Sequence, residues 1–278
     1  MHHFSIRAVT KILGVSRSGF RCWLNRKPSN TKKRKNKIKE EIKEIHKESH
    51  EIYGAPKITR ELRKEGHTVS EKTVGNYMRE MNIKALYIKP WTRTTVSRDF
   101  SHKLRNILKR NFNPSSPDAA WCTDITYIWT VDDGFVYLTS VMDLFSRKIV
   151  SWVLTKDMSA ESVLEAIKKA QKRRNIEKPL IIHSDRGIQF TSDLYREITD
   201  KMKRSYSKKA CPWDNACIES FHALIKREWL NQYKIKDYNE AYRLIFEYIE
   251  TFYNTVRIHS HCGYESPDNY ERNYIKNN

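Results

Sequence analysis

The chain has 278 residues, 39% hydrophobic and 31% charged, which allows two domains with packed cores and excludes wholesale disorder; no apolar run nears the roughly 20 residues that cross a bilayer. Its net charge of +19 is unevenly spread: residues 1–117 hold 28 Lys and Arg against 10 Asp and Glu, whereas residues 118–278 hold 24 against 23. A solvated helical face mixes both signs, so this excess implies a polyanionic partner. The basic stretch Lys32-Lys33-Arg34-Lys35 lacks the strongly apolar helical face of a membrane-surface helix, which favours nucleic acid.

In chain order, residues 6–25 read as two short helices around a tight turn. Ile6, Val9, Ile12 and Leu13 follow helical spacing, and Gly14 closes the first helix. Ser16 caps the second, which is expected to place Phe20, Trp23 and Leu24 inside and Arg17, Ser18 and Arg21 outside. This is a helix-turn-helix outline, with Arg17 and Arg21 as candidate DNA contacts. A charged helix over 31–50 carries Ile38, Ile42 and Ile45 on one side. A second helical pair follows: Pro56 suits a first turn, Gly66 stops that helix, and Ser70 caps the next, whose Val74, Tyr77, Met78 and Met81 form an ordinary core stripe. Residues 1–85 are therefore expected to be a helical DNA-binding region, and 86–117 a basic linker ending in Asn113-Pro114-Ser115-Ser116-Pro117.

From residue 118 the character changes. Ala120–Thr130 and Phe135–Phe145 are rich in β-branched and aromatic residues, and Asp132-Asp133-Gly134 between them signals a hairpin. Lys148–Thr155 reads as a third strand, 160–173 as an amphipathic helix capped by Ser159, and Pro179–His183 as a short strand buried on both faces. A short strand is possible at Ser205–Ser207, and long helices are expected over about 214–232 and 238–253. The fold class is α/β, a mixed sheet covered by helices, with the core over 118–270 and a tail over 271–278. The five cysteines form no CxxC, and Cys211, Cys217 and His222 fit no common tetrahedral zinc spacing. The start Met1-His2-His3-Phe4-Ser5 shows no signal-peptide pattern, so a cytoplasmic location is expected.

Three acids stand out. Asp124 lies mid-strand, where Asp is depleted and costly to bury unpaired. Asp185 directly follows the apolar strand, at the carboxyl edge where α/β sheets place ligands. Glu219 lies one turn into a helix beginning near Asp214, in a polar stripe with Asn215, His222 and Lys226. That stripe would suit a phosphate backbone, and equally a solvated face. A carboxylate trio is the donor set Mg²⁺ prefers, and two ions roughly 3.5–4 Å apart can serve both oxygens of a phosphoryl displacement. Asp143 competes for a catalytic place: a two-residue hairpin turn would put it on the sheet face of Asp124, and a three-residue turn on the other.

These residues carry a family likeness. Trp121–Ile128, Asp143-Leu144-Phe145-Ser146-Arg147-Lys148-Ile149-Val150, His183-Ser184-Asp185-Arg186-Gly187 and Asp214-Asn215-Ala216 with Ile218-Glu219-Ser220-Phe221 resemble the catalytic core of bacterial insertion-sequence transposases related to retroviral integrases. Tyr253-Asn254, Arg257, His259, Gly263-Tyr264 and Ser266-Pro267 resemble the family's C-terminal motif; Leu13–Gly19 and Tyr53-Gly54-Ala55-Pro56 resemble its front end. The resemblance implies a ribonuclease-H-like core, a DDE site of Asp124, Asp185 and Glu219 holding Mg²⁺ or Mn²⁺ as two ions, and Lys226 and Asn215 near the DNA. Asp143 and Arg147 take supporting roles. It also implies DNA cleavage at transposon ends followed by joining to target DNA, a homo-oligomer on DNA, and an upstream-frame partner or fusion segment. One departure is a stretch between Asp185 and Glu219 about two residues shorter than usual, missing before Ser205. A nuclease that only hydrolyses and a non-catalytic DNA binder are the competing readings.

Overall fold

The computed structural model describes residues 5–86, 104–174, 176, 179–209 and 211–277, which divide into two compact units, 1–85 and 86–278. The first unit is helical: α1 (Ile6–Ile12), α2 (Arg17–Leu24), α3 (Asn30–Glu48), α4 (Ala55–Lys64) and α5 (Glu71–Glu80). Ser16 and Ser70 accept from the amides of Gly19 and Thr73, so these two expected caps form, whereas Ser159, at the N-cap of the 160–173 helix, makes no side-chain cap bond. Gly14, at φ 64°, turns the chain between α1 and α2 in the left-handed conformation that glycine adopts freely.

The α3 stripe of Ile38, Ile42 and Ile45 is buried together with Ile58 and Leu62 of α4 and Val74 and Met78 of α5. Burying each such side chain contributes roughly 1.5–3 kcal/mol, which outweighs the weak propensity of helices this short. The expectation for α2 is corrected. Trp23 is 66% exposed and Leu24 55%, with Phe20 stacked on Trp23 at 6.1 Å. Helices of seven and eight residues supply too little area to enclose large side chains.

The second unit is built on a five-stranded mixed sheet of order β3-β2-β1-β4-β5. β1 (Ala120–Thr130), β2 (Gly134–Asp143) and β3 (Ile149–Thr155) are antiparallel, while β4 (Ile181–Ser184) runs parallel to β1 and β5 (Lys203–Tyr206) parallel to β4. This is the ribonuclease-H-like arrangement that the resemblance implies. Thr130 pairs with Gly134, so the hairpin turn has three residues and closes on Gly134 at φ 72°. β5 pairs with β4 over its whole length despite the shortened connection, because Met202 N–H closes a tight turn onto Thr199 O at 2.9 Å.

Helices cover both faces. α6 (Ala160–Arg173) buries Val163, Ala166, Ile167 and Ala170 against Trp121, Val141, Leu180 and Ile182. Two short helices, α7 (Ile188–Thr191) and α8 (Asp193–Ile198), lead to β5. On the other face lie α9 (Ala216–Glu228) and α10 (Tyr238–Phe246), the latter continuing as a π-helical stretch over Glu247–Tyr253. Arg257 grips buried Glu228 at 2.6 and 2.7 Å, and Tyr248 donates to the same carboxylate at 2.7 Å.

Two expected boundaries change. Residues 104–112, read as linker, are bonded to the core: the amides of Ile107 and Leu108 donate to Ser205 Oγ at 2.9 Å, and Leu108 is buried. The rest of that linker, 87–103, lies outside the described residues. The expected tail is α11 (Pro267–Asn277), in which buried Glu271 accepts from Arg174 at 2.7 and 2.9 Å and from Ser146 Oγ at 2.6 Å. An apolar pattern alone does not reveal a segment held by such polar anchors.

Candidate active site

The sheet register brings Asp124 and Asp185 together. Asp124 sits mid-β1 opposite Ser140, and the parallel ladder pairs Cys122 with His183. Just past the end of β4, Asp185 comes near enough to Asp124 to feel its charge. β4 is fixed there by His183, whose ring nitrogens lie 2.8 Å from Ser205 Oγ and 3.1 Å from Ser207 Oγ. Burial lowers the His183 pKa to about 4, which keeps this ring neutral.

Glu219 arrives from the first turn of α9, whose start is held by buried Asp214. That carboxylate accepts from Arg110 Nε at 2.6 Å, Asn106 Nδ2 at 2.9 Å and the Lys208 amide at 2.9 Å. Desolvation opposes its charge, but the Lys208 amide and Arg110 prevail and hold it below the ordinary value. The expected polar stripe divides. Glu219 is exposed and Lys226 half-buried, whereas Asn215 and His222 turn inward.

Asn215 is corrected as a surface DNA contact. It is 3% exposed, donates to the Thr123 carbonyl at 3.4 Å, and so ties the start of α9 to β1. His222 Nδ1 lies 3.5 Å from Asp124 Oδ2, with Nε2 3.3 Å from Ser140 Oγ, so it braces the Asp124 carboxylate from behind. The Ser140 partnership was not foreseen; the signal for it is the hairpin register, which depends on turn length.

The three acids share one electrostatic neighbourhood. Desolvation, then the Asp124 charge, raises Asp185 to about 6, although the residue keeps one side open to water and accepts from the Gly187 amide at 2.8 Å. Desolvation, then Asp124 and Asp185, raises Glu219 to about 7. Lys226 is lowered by desolvation and partly restored by Asp124, and its Nζ lies 4.5 Å from the Tyr127 ring centroid. Among the described residues, the group of three donor atoms within 4.8 Å of one another is Glu41, Glu65 and His67, in the helical unit. The three sheet-unit acids stand wider than that, and wider than one small ion's shell.

The three-residue turn settles Asp143: it pairs with Trp121, on the face away from Asp124. Its carboxylate accepts from the amides of Asp118 and Phe145, each at 2.8 Å, and burial raises it to about 7. Asp118 in turn accepts from Trp121 Nε1 at 2.9 Å, so this carboxyl anchors the start of β1. Arg147, at φ 63°, donates to the carbonyls of Leu144 and Phe112 and to Asn113 Oδ1. Asp143 thus supports the strand that carries Asp124, while Arg147 ties the β2–β3 turn to residues 112 and 113. Arg17 and Arg21 are exposed on α2.

Comparison with known proteins follows this geometry. Models of an integrase core domain match residues 114–210 and 200–267, and a model of an HTH-like domain matches 33–91. The HTH-like match thus falls on α3–α5 rather than on the 6–25 pair expected from sequence. The chain is 33% identical over 266 residues to an uncharacterised 31 kDa protein of insertion element IS600 from Shigella sonnei, covering 95% of this chain and 97% of that protein. It is 33% identical over 272 residues to transposase InsF of insertion sequence IS3A from Escherichia coli, covering 96% and 94%. It is 34% identical over 251 residues to the IS904 transposase of Lactococcus lactis, covering 90% and 99%. Among solved structures, the HTLV-2 integrase catalytic core in complex with magnesium superposes with TM-score 0.44 at 19% identity, over 56% of this chain and 98% of that one. The catalytic domain of Mos1 mariner transposase gives 0.40 at 14%, over 57% and 76%.

Proposed function

We infer what this chain does from what it belongs to: it is a member of the insertion-sequence transposases that carry an integrase core domain. It is a DNA transposase, a polynucleotidyl transferase that cuts at transposon ends and joins the freed 3′-hydroxyl to target DNA. Asp124, Asp185 and Glu219 are its catalytic acids and would hold Mg²⁺ or Mn²⁺. The observation that carries this assignment is the convergence of the three acids: Asp124 of β1, Asp185 just past β4 and Glu219 of α9 lie near enough that Asp185 feels the charge of Asp124, and Glu219 the charges of both. An all-oxygen donor set of like charge is what a hard divalent cation satisfies, and two ions roughly 3.5–4 Å apart are the arrangement such a set serves in phosphoryl displacement. When bound, such ions activate the attacking oxygen and stabilise the leaving one.

The chain's own residues supply position. His222 braces Asp124, Asn215 pins α9 to β1, and Asp214 fixes the turn that aims Glu219. Lys226, beside the acids, places a cation where a phosphate backbone passes. In the first step water attacks a phosphodiester at the transposon end, so a P–O bond to water forms as the P–O3′ bond breaks, leaving a 3′-hydroxyl and a 5′-phosphate. In the second that hydroxyl attacks a target phosphodiester, so one P–O bond forms as one breaks. The HTH-like helices, with Arg17 and Arg21, bind end DNA. The enzyme works as a homo-oligomer on DNA, aided by an upstream-frame segment, in the bacterial cytoplasm. Among the described residues no helix is long and apolar enough to cross a membrane.

The test is incubation of purified full chain with labelled end DNA, target DNA and Mg²⁺. Joined products are expected. Cleavage without joining would reduce the enzyme to a nuclease, and a gel shift without chemistry would leave only a DNA binder.

A further inference from the structure

The outer half of the β1–β2 hairpin exposes an aromatic cluster. Tyr127, Trp129 and Phe135 are 44%, 59% and 47% exposed, and Val131 beyond them 49%. They are not scattered: the Phe135 ring meets Tyr127 at 5.3 Å and Trp129 at 4.9 Å, both edge to face. A contiguous exposed aromatic surface on a folded domain marks something that binds there.

Three observations say what. Lys226, the cation that feels the Asp124 charge, lies over the Tyr127 ring, so one side chain joins the catalytic acids to the cluster. β1 pairs with β4 at Ala120–Cys122, and among the described residues no strand pairs with that edge of β1 past Cys122. The cluster lies on the face opposite Asp124, with Lys226 reaching its Tyr127 ring from α9. Of the two acids at the hairpin tip, Asp133 is paired with Lys156 at 2.7 Å and accepts from the Tyr238 amide at 2.8 Å, while Asp132 is exposed.

We propose that Trp129 and Phe135, with Tyr127, form a stacking platform for unpaired bases of the DNA strand held at the catalytic acids. The proposal rests on the transposase reading and adds a recognition element to it. Aromatic faces bind any base by stacking, and a cation beside them receives the phosphate between bases. Tyr127 and Trp129 are three and five residues from Asp124, about 10 and 17 Å along an extended strand. An unpaired strand covers such distances in a few nucleotides. An end whose terminal bases are splayed open is therefore held more firmly than a fully paired one.

The experiment compares full-length protein binding to two labelled end DNAs in EDTA, one fully paired and one with five unpaired terminal nucleotides. Trp129→Ala and Phe135→Ala, at exposed positions, are each expected to weaken binding of the unpaired end by about 5- to 150-fold, since stacking contributes about 1–3 kcal/mol per base. Binding of the paired end stays unchanged, and Trp129→Phe and Phe135→Tyr restore the preference. Equal loss on both DNAs, or no loss on either, overturns the proposal. So does a change in sedimentation of the DNA-free variants with the preference intact, which would make the cluster a contact between copies of the chain. Because binding is read without metal, failure here is separable from failure of the transposase reading, which the wild-type joining assay tests.

Discussion

The two units of this chain carry charge in opposite ways. In the helical unit the ionic contacts lie at the surface, where Lys35 and Lys39 share Glu80 at 2.8 and 2.7 Å with every partner partly exposed. In the sheet unit charge is also taken inside: Glu228 and Arg257 are both nine-tenths buried or more and Asp143 is wholly enclosed, while beside the middle of β1 Asp185 and Glu219, each open to water on one side, are raised by desolvation and by their acidic neighbours. Surface cations are available to any long polyanion. Acids held together against desolvation and repulsion are available only to what neutralises them. Affinity for DNA and chemistry on DNA are thereby assigned to different physical devices.

The largest effects should come from the acids. Asp124→Asn, Asp185→Asn and Glu219→Gln are each expected to slow strand cutting by about a hundred- to a thousandfold or more while leaving anisotropy-measured binding of end DNA largely intact. A variant that cuts at nearly the normal rate removes that residue from the site. Next is the buried pair. Arg257→Ala leaves the Glu228 charge stranded, which destabilises by about 3–5 kcal/mol and lowers the melting temperature by roughly 6–20 °C. Glu80→Gln in the helical unit leaves its transition unmoved. Equal shifts in calorimetry would erase the contrast between the units.

The pH response sharpens it further. Glu219 is raised to about 7 and Asp185 to about 6, and cations bind the ionised form, so cleavage at limiting Mg²⁺ should fall about tenfold per pH unit between about 7 and 6, about a hundredfold per unit below about 6, and level off above about 8. Stability of the metal-free protein runs the other way. An acid raised on folding stabilises while protonated, and that contribution is lost as pH rises through its folded value. Glu219→Gln is therefore expected to melt about 1–3 °C above wild type at pH 8 and together with it at pH 5, without metal. The smallest effect is in salt: Arg17→Ala and Arg21→Ala should each flatten the slope of log affinity against log salt by about one, if each meets a phosphate.

Much of this was legible in the residues because it is local. β-branched runs, serine caps and a glycine-closed turn mark elements whose causes lie within a few positions, as at Ser70 or Gly134. The acids were legible because Asp124 breaks a strand pattern and Asp185 ends one. What was hidden depends on pairing between distant segments. The face occupied by Asp143 follows from one residue of turn length, and the inward rotation of Asn215 and His222 follows from where α9 lands on β1. The anchoring of residues 104–112 and α11 rests on Ser205, Asp214 and Arg174, polar partners far away along the chain. Trp23 and Leu24 show the converse: a helical stripe says which residues share a face, not that anything covers it.

The central claim is that Asp124, Asp185 and Glu219 form one cation site. Electron paramagnetic resonance of Mn²⁺ titrated into the DNA-free full chain at pH 8 tests it most directly. Uptake should weaken alike in Asp124→Asn, Asp185→Asn and Glu219→Gln. A titration that loses one of these carboxylates and stays superimposable on wild type would contradict the account.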